Sequence, residues 1–305
     1  MATTTITSNF RDAARAALAA TDRSVVRIGR APGRGCGIVV GDGFVLTNAH
    51  NLRDRTTEVT FADGRALQAE VSGVDPDGDL VVLSVDTGDA PALAWTDEPA
   101  EPGDVVFAVG RSDDGGARIT YGLVSGAERA FRGPRGRQIT GSLEHTAPLA
   151  RGSSGSPIVD EHGLVVGLNT ARLADGFYLA LPADSALRER VDALVRGESA
   201  QRLVLGVGLA PSEVAHQLRA SVGLPPLAGL LVRAVAEDSP AATAGIKIGD
   251  LLVASGDQAL ATVDDLHQSL DAARAAGTLA LSVVRGADEH EVEVTFRTSD
   301  NTPGE

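Results

Sequence analysis

From Ser24 to about Leu181 the chain alternates short apolar or β-branched runs with Gly, Asp and Pro. The runs are SVVRIG, GCGIVV, GFVLT, TEVTFADG, LVVLSV, DVVFAVG, ITYGLVSG, SPIVDEHG, LVVGLNT and FYLALP. Runs of that length, closely spaced and bounded by turn formers, predict the strands of an all-β sandwich or barrel. Two stretches break the pattern. Residues 9–21 place Phe10, Ala14, Ala17 and Leu18 near helical spacing in an alanine-rich segment. Residues 183–197 predict an amphipathic helix with Leu187, Val191, Leu194 and Val195 as its apolar stripe and Gly197 at its end. A short polar linker at 198–202 follows. Beyond it the strands LVLGVGL and GLLVRAV, a helix SPAATAG, a strand DLLVASG, a helix VDDLHQSLDAARAAG and the strands LALSVVRG and EVEVTF predict a small α+β module. The expected division is 1–199 for the β-rich unit with its N-terminal helix, 200–298 for the module, and 299–305 for a disordered tail.

Composition fits that picture. Among 305 residues, 35 are Gly and only 3% are aromatic, as many tight turns between short strands require. The net charge is −14, and both parts share it: residues 1–199 carry 20 basic and 27 acidic side chains, residues 200–305 carry 7 and 14. An evenly acidic surface repels phosphate backbones, which argues against a nucleic-acid partner. Cys36 is the single cysteine, so no intrachain disulfide can form. No run of 18 apolar residues predicts a membrane span, and the N-terminus lacks the pattern of a signal peptide. The expectation is a cytoplasmic protein, or an extracytoplasmic one if a targeting segment has been removed.

One segment suggests chemistry. In ARGSSGSPIVD, residues 150–160, a serine sits between glycines just before an apolar run. A serine hydroxyl needs an adjacent base to be nucleophilic. It also needs N–H groups aimed at the developing oxyanion, and Gly152 would let the chain turn so that its own amide and that of Ser154 converge. Read alone, GSSGSP is equally a Ser/Gly turn between strands. Of the six histidines only His50 ends an apolar strand followed by small residues, in GFVLTNAHNL; a half-buried structural histidine is its plainer reading. His145 falls in an apparent strand, and His162, His267 and His290 lie on polar stretches that predict solvation. Asp79 abuts the apolar run LVVLSV, and an unpaired charge there would cost several kcal/mol, on the order of other buried ions. A histidine partner would remove that cost. Asp75 and Asp77 predict exposed turn formers. The order His, Asp, Ser is that of the chymotrypsin architecture.

With those residues in place the chain resembles the HtrA (Deg) family of PDZ serine proteases over nearly its whole length. GCGIVVGDGFVLTNAHNL resembles GSGFII…ILTNAHVV, and FADGRALQAEVSGVDPDGDLVVLSV resembles FADGR…VVGVDPxTDLAVLKV. RGSSGSPIVDEHGLVVGLNT resembles PGNSGGPLVNxxGEVIGINT, with Ser153 and Ser156 where that pattern has Asn and Gly. The segment SPAATAGIKIGD resembles the GSPAAxAGLKxGD of the family's PDZ domain. The resemblance implies a mainly β fold: a chymotrypsin-like double β-barrel protease domain followed by a small α+β PDZ domain. It implies a catalytic triad of His50, Asp79 and Ser154 and an oxyanion hole from the Gly152 and Ser154 amides, with no metal and no cofactor. It further implies a specificity pocket involving Leu149, Leu168 and Asn169 that takes a small or medium apolar side chain. Val204, Leu205, Gly206 and Val207 match the loop that captures a peptide's C-terminal carboxylate.

The expected activity is serine endopeptidase cleavage of unfolded or damaged polypeptides, with the PDZ module regulating activity or delivering substrate, and a possible homotrimer. Two other readings stay open. One is a proteolytically silent PDZ scaffold or holdase; the other is a processing peptidase of narrow specificity.

Overall fold

The computed structural model describes residues 6–30, 35–52, 56–112, 114–133, 137–173, 176–199, 203–274 and 276–296. The segment 299–305 lies outside them. The chain divides into two compact units, Met1–Ala200 and Gln201–Glu305.

The first unit opens with helix α1 (Ile6–Thr21) and holds two closed six-stranded barrels. The first barrel is built from β1 (Val25–Ile28), β2 (Gly35–Gly41), β3 (Phe44–Asn48), β4 (Thr56–Thr60), β5 (Ala66–Asp75) and β6 (Leu80–Ser84), closing in the order β1-β2-β3-β6-β5-β4. Val26, Ile28, Val39, Val45, Val59 and Val81 fill its interior. Such β-branched residues are stiff at χ1 and pack well on a pleated surface, which is why these short runs form strands. The second barrel takes β7 (Val105–Arg111), β8 (Ala117–Arg132), β9 (Gln138–His145), β10 (Pro157–Val159), β11 (Val165–Arg172) and β12 (Tyr178–Pro182), in the order β10-β11-β12-β9-β8-β7. Closure removes every free sheet edge, so these strands expose no row of unpaired amides.

A third layer of core runs between the barrels and under both helices. Ile38, Leu46, Leu80, Phe107, Val159 and Leu168 belong to one buried cluster with Ala17 of α1. Phe10 of α1 packs its ring 5.6 Å from Phe107 and 4.5 Å, edge-on, from Tyr121. Helix α2 (Ser185–Val195) buries the predicted Leu187, Val191 and Leu194, and Asp184 caps it by accepting the Leu187 amide. It lies so close to β5 that a Cβ on Gly73 would stand 2.6 Å from the Leu194 carbonyl oxygen.

Among its described residues the second unit is a six-stranded antiparallel sheet with three helices. Its strands are β13 (Val207–Ala210), β14 (Leu230–Val235), β15 (Leu251–Ser255), β16 (Gln258–Ala259), β17 (Thr278–Arg285) and β18 (Asp288–Thr295). They run β13-β14-β15-β17-β18, with β16 beside β15, so β13 is an edge. The helices are α3 (Ser212–Ser221), α4 (Pro240–Thr243) and α5 (Val263–Ala272). A capping box between Thr262 and Asp265 starts α5. The reading of 203–209 as one strand is corrected: only Val207 onward pairs, and α3 was not foreseen. Among the described residues no helix is long and apolar enough to cross a membrane.

Candidate active site

β3 delivers Asn48 to the rim of the first barrel, and a 3-10 turn over Ala49–Asn51 then carries His50 off it. The β5–β6 turn delivers Asp79, whose φ of 56° is rare for a residue with a side chain. That backbone is held on both sides: the Asp79 carbonyl accepts the Ala49 amide at 3.1 Å and the Asn48 carboxamide at 3.1 Å. Asp79 is 2% exposed. Its Oδ2 lies 2.7 Å from His50 Nδ1, and its Oδ1 accepts the His50 backbone amide at 3.0 Å. Two contacts from one carboxylate to one residue fix both ring and backbone. The arrangement assigns the proton to Nδ1 and leaves the Nε2 lone pair outward.

A third bond comes from the other barrel. Thr170 Oγ1 donates to Asp79 Oδ2 at 2.9 Å. The register of β11 against β12 shifts between Asn169 and Ala171, and this irregularity aims Thr170 at the interface. The sequence reading missed Thr170, because a bulge is invisible in an alternating pattern. It also missed the surroundings of the β5–β6 turn. Asp75 and Asp77 are not exposed turn formers: Asp75 is 9% exposed. It caps the Gly78 amide at 3.0 Å. Asp77 pairs with Arg137 at 3.0 Å, the two side chains only 11% and 12% exposed.

The serine loop is linked to this couple through Thr170. Gly152 and Gly155 have φ of 79° and 84°, and a Cβ on Gly155 would stand 2.2 Å from the Cys36 carbonyl oxygen. The Ser154 carbonyl is tied to the first barrel by the Cys36 amide at 2.8 Å and by Asn51 Nδ2 at 3.0 Å. The Ser154 hydroxyl donates to the Thr170 carbonyl at 3.4 Å, and among the described residues it makes no hydrogen bond to the His50 ring. Neither the Gly152 nor the Ser154 amide is donated to another group among the described residues. Two undonated amides beside a hydroxyl are what an oxyanion would use.

Beside Ser154 opens a pocket of about 110 Å³. Of the three residues assigned to a specificity pocket, Leu149 and Asn169 line it; Leu168 does not, because it is fully buried in the inter-barrel core. Arg151, Arg172 and Tyr178 line it as well. Behind it, His145 is wholly buried, with Nε2 2.8 Å from Asn169 Oδ1 and Nδ1 accepting the Ala147 amide at 3.3 Å. Asn169 Nδ2 donates in turn to Ser156 Oγ at 3.0 Å. Burial pushes the His145 pKa down, and the Asn169 bond only partly opposes it.

In the second unit Val204, Leu205, Gly206 and Val207 all line one groove of about 620 Å³, between edge strand β13 and α5. The Leu205 carbonyl accepts the Ala241 amide at 3.0 Å and the Gly206 carbonyl accepts the Ala236 amide at 2.8 Å. His267, read as solvated from sequence, is half-buried on the α5 wall of this groove.

Comparison with known proteins agrees with this geometry. Residues 35–168 match the trypsin-like peptidase domain family, and residues 204–296 match the PDZ domain family. A Brucella suis protein named "Probable periplasmic serine endoprotease DegP-like" is 32% identical over 289 residues, covering 89% of this chain and 54% of its own length. The chain belongs to the HtrA family. A Pseudomonas fluorescens protein of the same name is 31% identical over 265 residues, with 85% and 54% covered. This HtrA-family chain thus spans about half the length of the curated relatives it matches. A solved serine endoprotease from Yersinia pestis superposes with a TM-score of 0.68 at 25% identity, over 92% of this chain and 96% of its own. The HtrA-type protease AlgW, solved with a decapeptide, gives 0.72 at 23% identity, over 92% and 97%, a likeness of fold.

Proposed function

We propose that this chain is a serine endopeptidase in which Ser154 attacks a peptide carbonyl. The observation that carries the reading is the Asp79–His50 couple, 2.7 Å apart, with Asp79 buried behind a His50 ring that is open to solvent. His50 Nε2 takes the Ser154 proton and returns it to the leaving amine, while Asp79 holds the ring and stabilises imidazolium. The Gly152 and Ser154 amides receive the oxyanion. For attack the hydroxyl must leave the Thr170 carbonyl for Nε2, a motion ordinary for a catalytic serine before substrate arrives.

Unfolded or damaged polypeptides are the proposed substrates, in keeping with relatives named as periplasmic serine endoproteases. The second unit is proposed to bind peptide C-termini by strand addition to β13, with the amides of 204–207 around the carboxylate. That binding would regulate cleavage or deliver substrate. The names of the relatives favour a place outside the cytoplasm, and a homotrimer is the proposed assembly. Incubation with an unfolded casein-like substrate and a fluorophosphonate tests the reading: the wild type cleaves and is labelled at Ser154, and Ser154→Ala does neither. Cleavage unchanged in Ser154→Ala would refute it.

A further inference from the structure

The pocket beside Ser154 is charged in a direction opposite to the molecule. The chain carries 41 acidic and 27 basic side chains. Yet Arg151 and Arg172 both line this pocket, and among the described residues no acidic one does. Arg172 is not a loose surface side chain. Its Cζ lies 5.1 Å from the centre of the Tyr178 ring, and its Nη2 donates to the Leu149 carbonyl. The guanidinium is thereby held at one wall, with Nη1 and Nε given to no other group among the described residues.

The floor offers nothing to offset that charge. Asn169 is a neutral carboxamide whose oxygen is bonded by His145 and whose nitrogen is bonded to Ser156, so it brings no negative charge. A substrate ammonium or guanidinium would meet two like charges. An apolar side chain fits the volume of about 110 Å³ but strips water from Arg172 and gives nothing back. A carboxylate fits the same space and accepts charge-assisted hydrogen bonds.

Building on the peptidase reading, we infer that the pocket takes an acidic side chain, so that cleavage falls after glutamate or aspartate. Arg172 is the specificity-determining residue and Arg151 adds to the field at the mouth. Both are exposed, so the preference weakens as salt screens it.

The test uses the full chain and three peptide phosphonates that differ only in the side chain entering the pocket: glutamate, glutamine or leucine. The rate of covalent capture of Ser154 is read for each by mass spectrometry, at low and high salt, with a side-chain-free fluorophosphonate as reference. The glutamate reagent should react about tenfold faster than the glutamine one at low salt, the size of one charge-assisted hydrogen bond. Salt should shrink the ratio. Arg172→Gln should remove it and raise the leucine rate, since no guanidinium is then stripped of water, and Arg172→Lys should keep part of it. Equal or slower reaction of the glutamate reagent with wild type, where the fluorophosphonate still labels Ser154, overturns the acidic preference alone. A Ser154 inert to the fluorophosphonate overturns the peptidase reading and this inference with it.

Discussion

The Asp79 carboxylate accepts three hydrogen bonds from two barrels, and each does a separate job: one orients the ring, one the His50 backbone, one ties in Thr170. Asp79→Asn keeps the shape but allows the wrong tautomer, so kcat should fall by about four orders of magnitude with little loss of fold. Steady-state kinetics and near-UV circular dichroism check the two halves of that statement. His145 supports a pH prediction. Tyr178 and Val124 face it across the ladder and Asn169 bonds it. The charges placed around it are Arg172 over Tyr178 and, next along its own strand, Glu144, which accepts from Ser125 and pairs with Arg129. Burial lowers the folded-state pKa. The unfolded chain therefore binds the proton first, and stability is fully present above about pH 6.5 and declines as pH falls below it. The melting temperature of wild type should drop more steeply between about pH 6.5 and 5 than that of His145→Gln. His50, Asp79 and Ser154 were legible because each sits where an apolar run meets small or turn-forming residues. Thr170 was not, since its direction depends on a register shift, and Asp77 was not, since its partner Arg137 lies 60 residues away in the other barrel.

At the scale of elements, the β5–β6 turn is gripped from outside. Arg137, at the foot of β9, pairs with Asp77, and Arg190 of α2 approaches Asp75 at 3.7 Å. The positive φ of Asp79 is a strained state that surrounding contacts must hold. Arg137→Gln should therefore lower kcat by about three- to tenfold with KM nearly constant, and Arg137→Lys should restore most of it, on the order expected for a half-buried pair. Unchanged kcat would mean that the turn holds itself. Helix α3 shows why one element escaped notice. Its large apolar residues, Val214 and Leu218, face outward, while the buried ones are Ala215 and Arg219. An amphipathic pattern read from large side chains points such a helix the wrong way. The predicted α2 was legible because Leu187, Val191 and Leu194 obey the rule.

At the scale of the molecule, the two units have separate interiors. The clusters around Leu230 and Leu281 share no residue with those of the barrels. Each core being complete, the fragment 203–296 should fold alone, and calorimetry of the full chain should resolve more than one transition. A fluorophosphonate should still label a chain ending at residue 200. A single transition would show that the units depend on each other. The mainly β architecture was readable from the cadence of short runs and turns. What it could not convey was closure, because which strands meet at the seam of a barrel is set by pairings distant in sequence.

Cys36 has a consequence of its own. It is 1% exposed, its Sγ lies 3.4 Å from the Gly152 carbonyl oxygen, and burial raises its pKa. A thiol both hidden and protonated is silent to alkylating reagents. Being the chain's sole sulfhydryl, it is a native reporter that needs no engineered label: the pace of its alkylation measures how often the two barrels part beside the nucleophile.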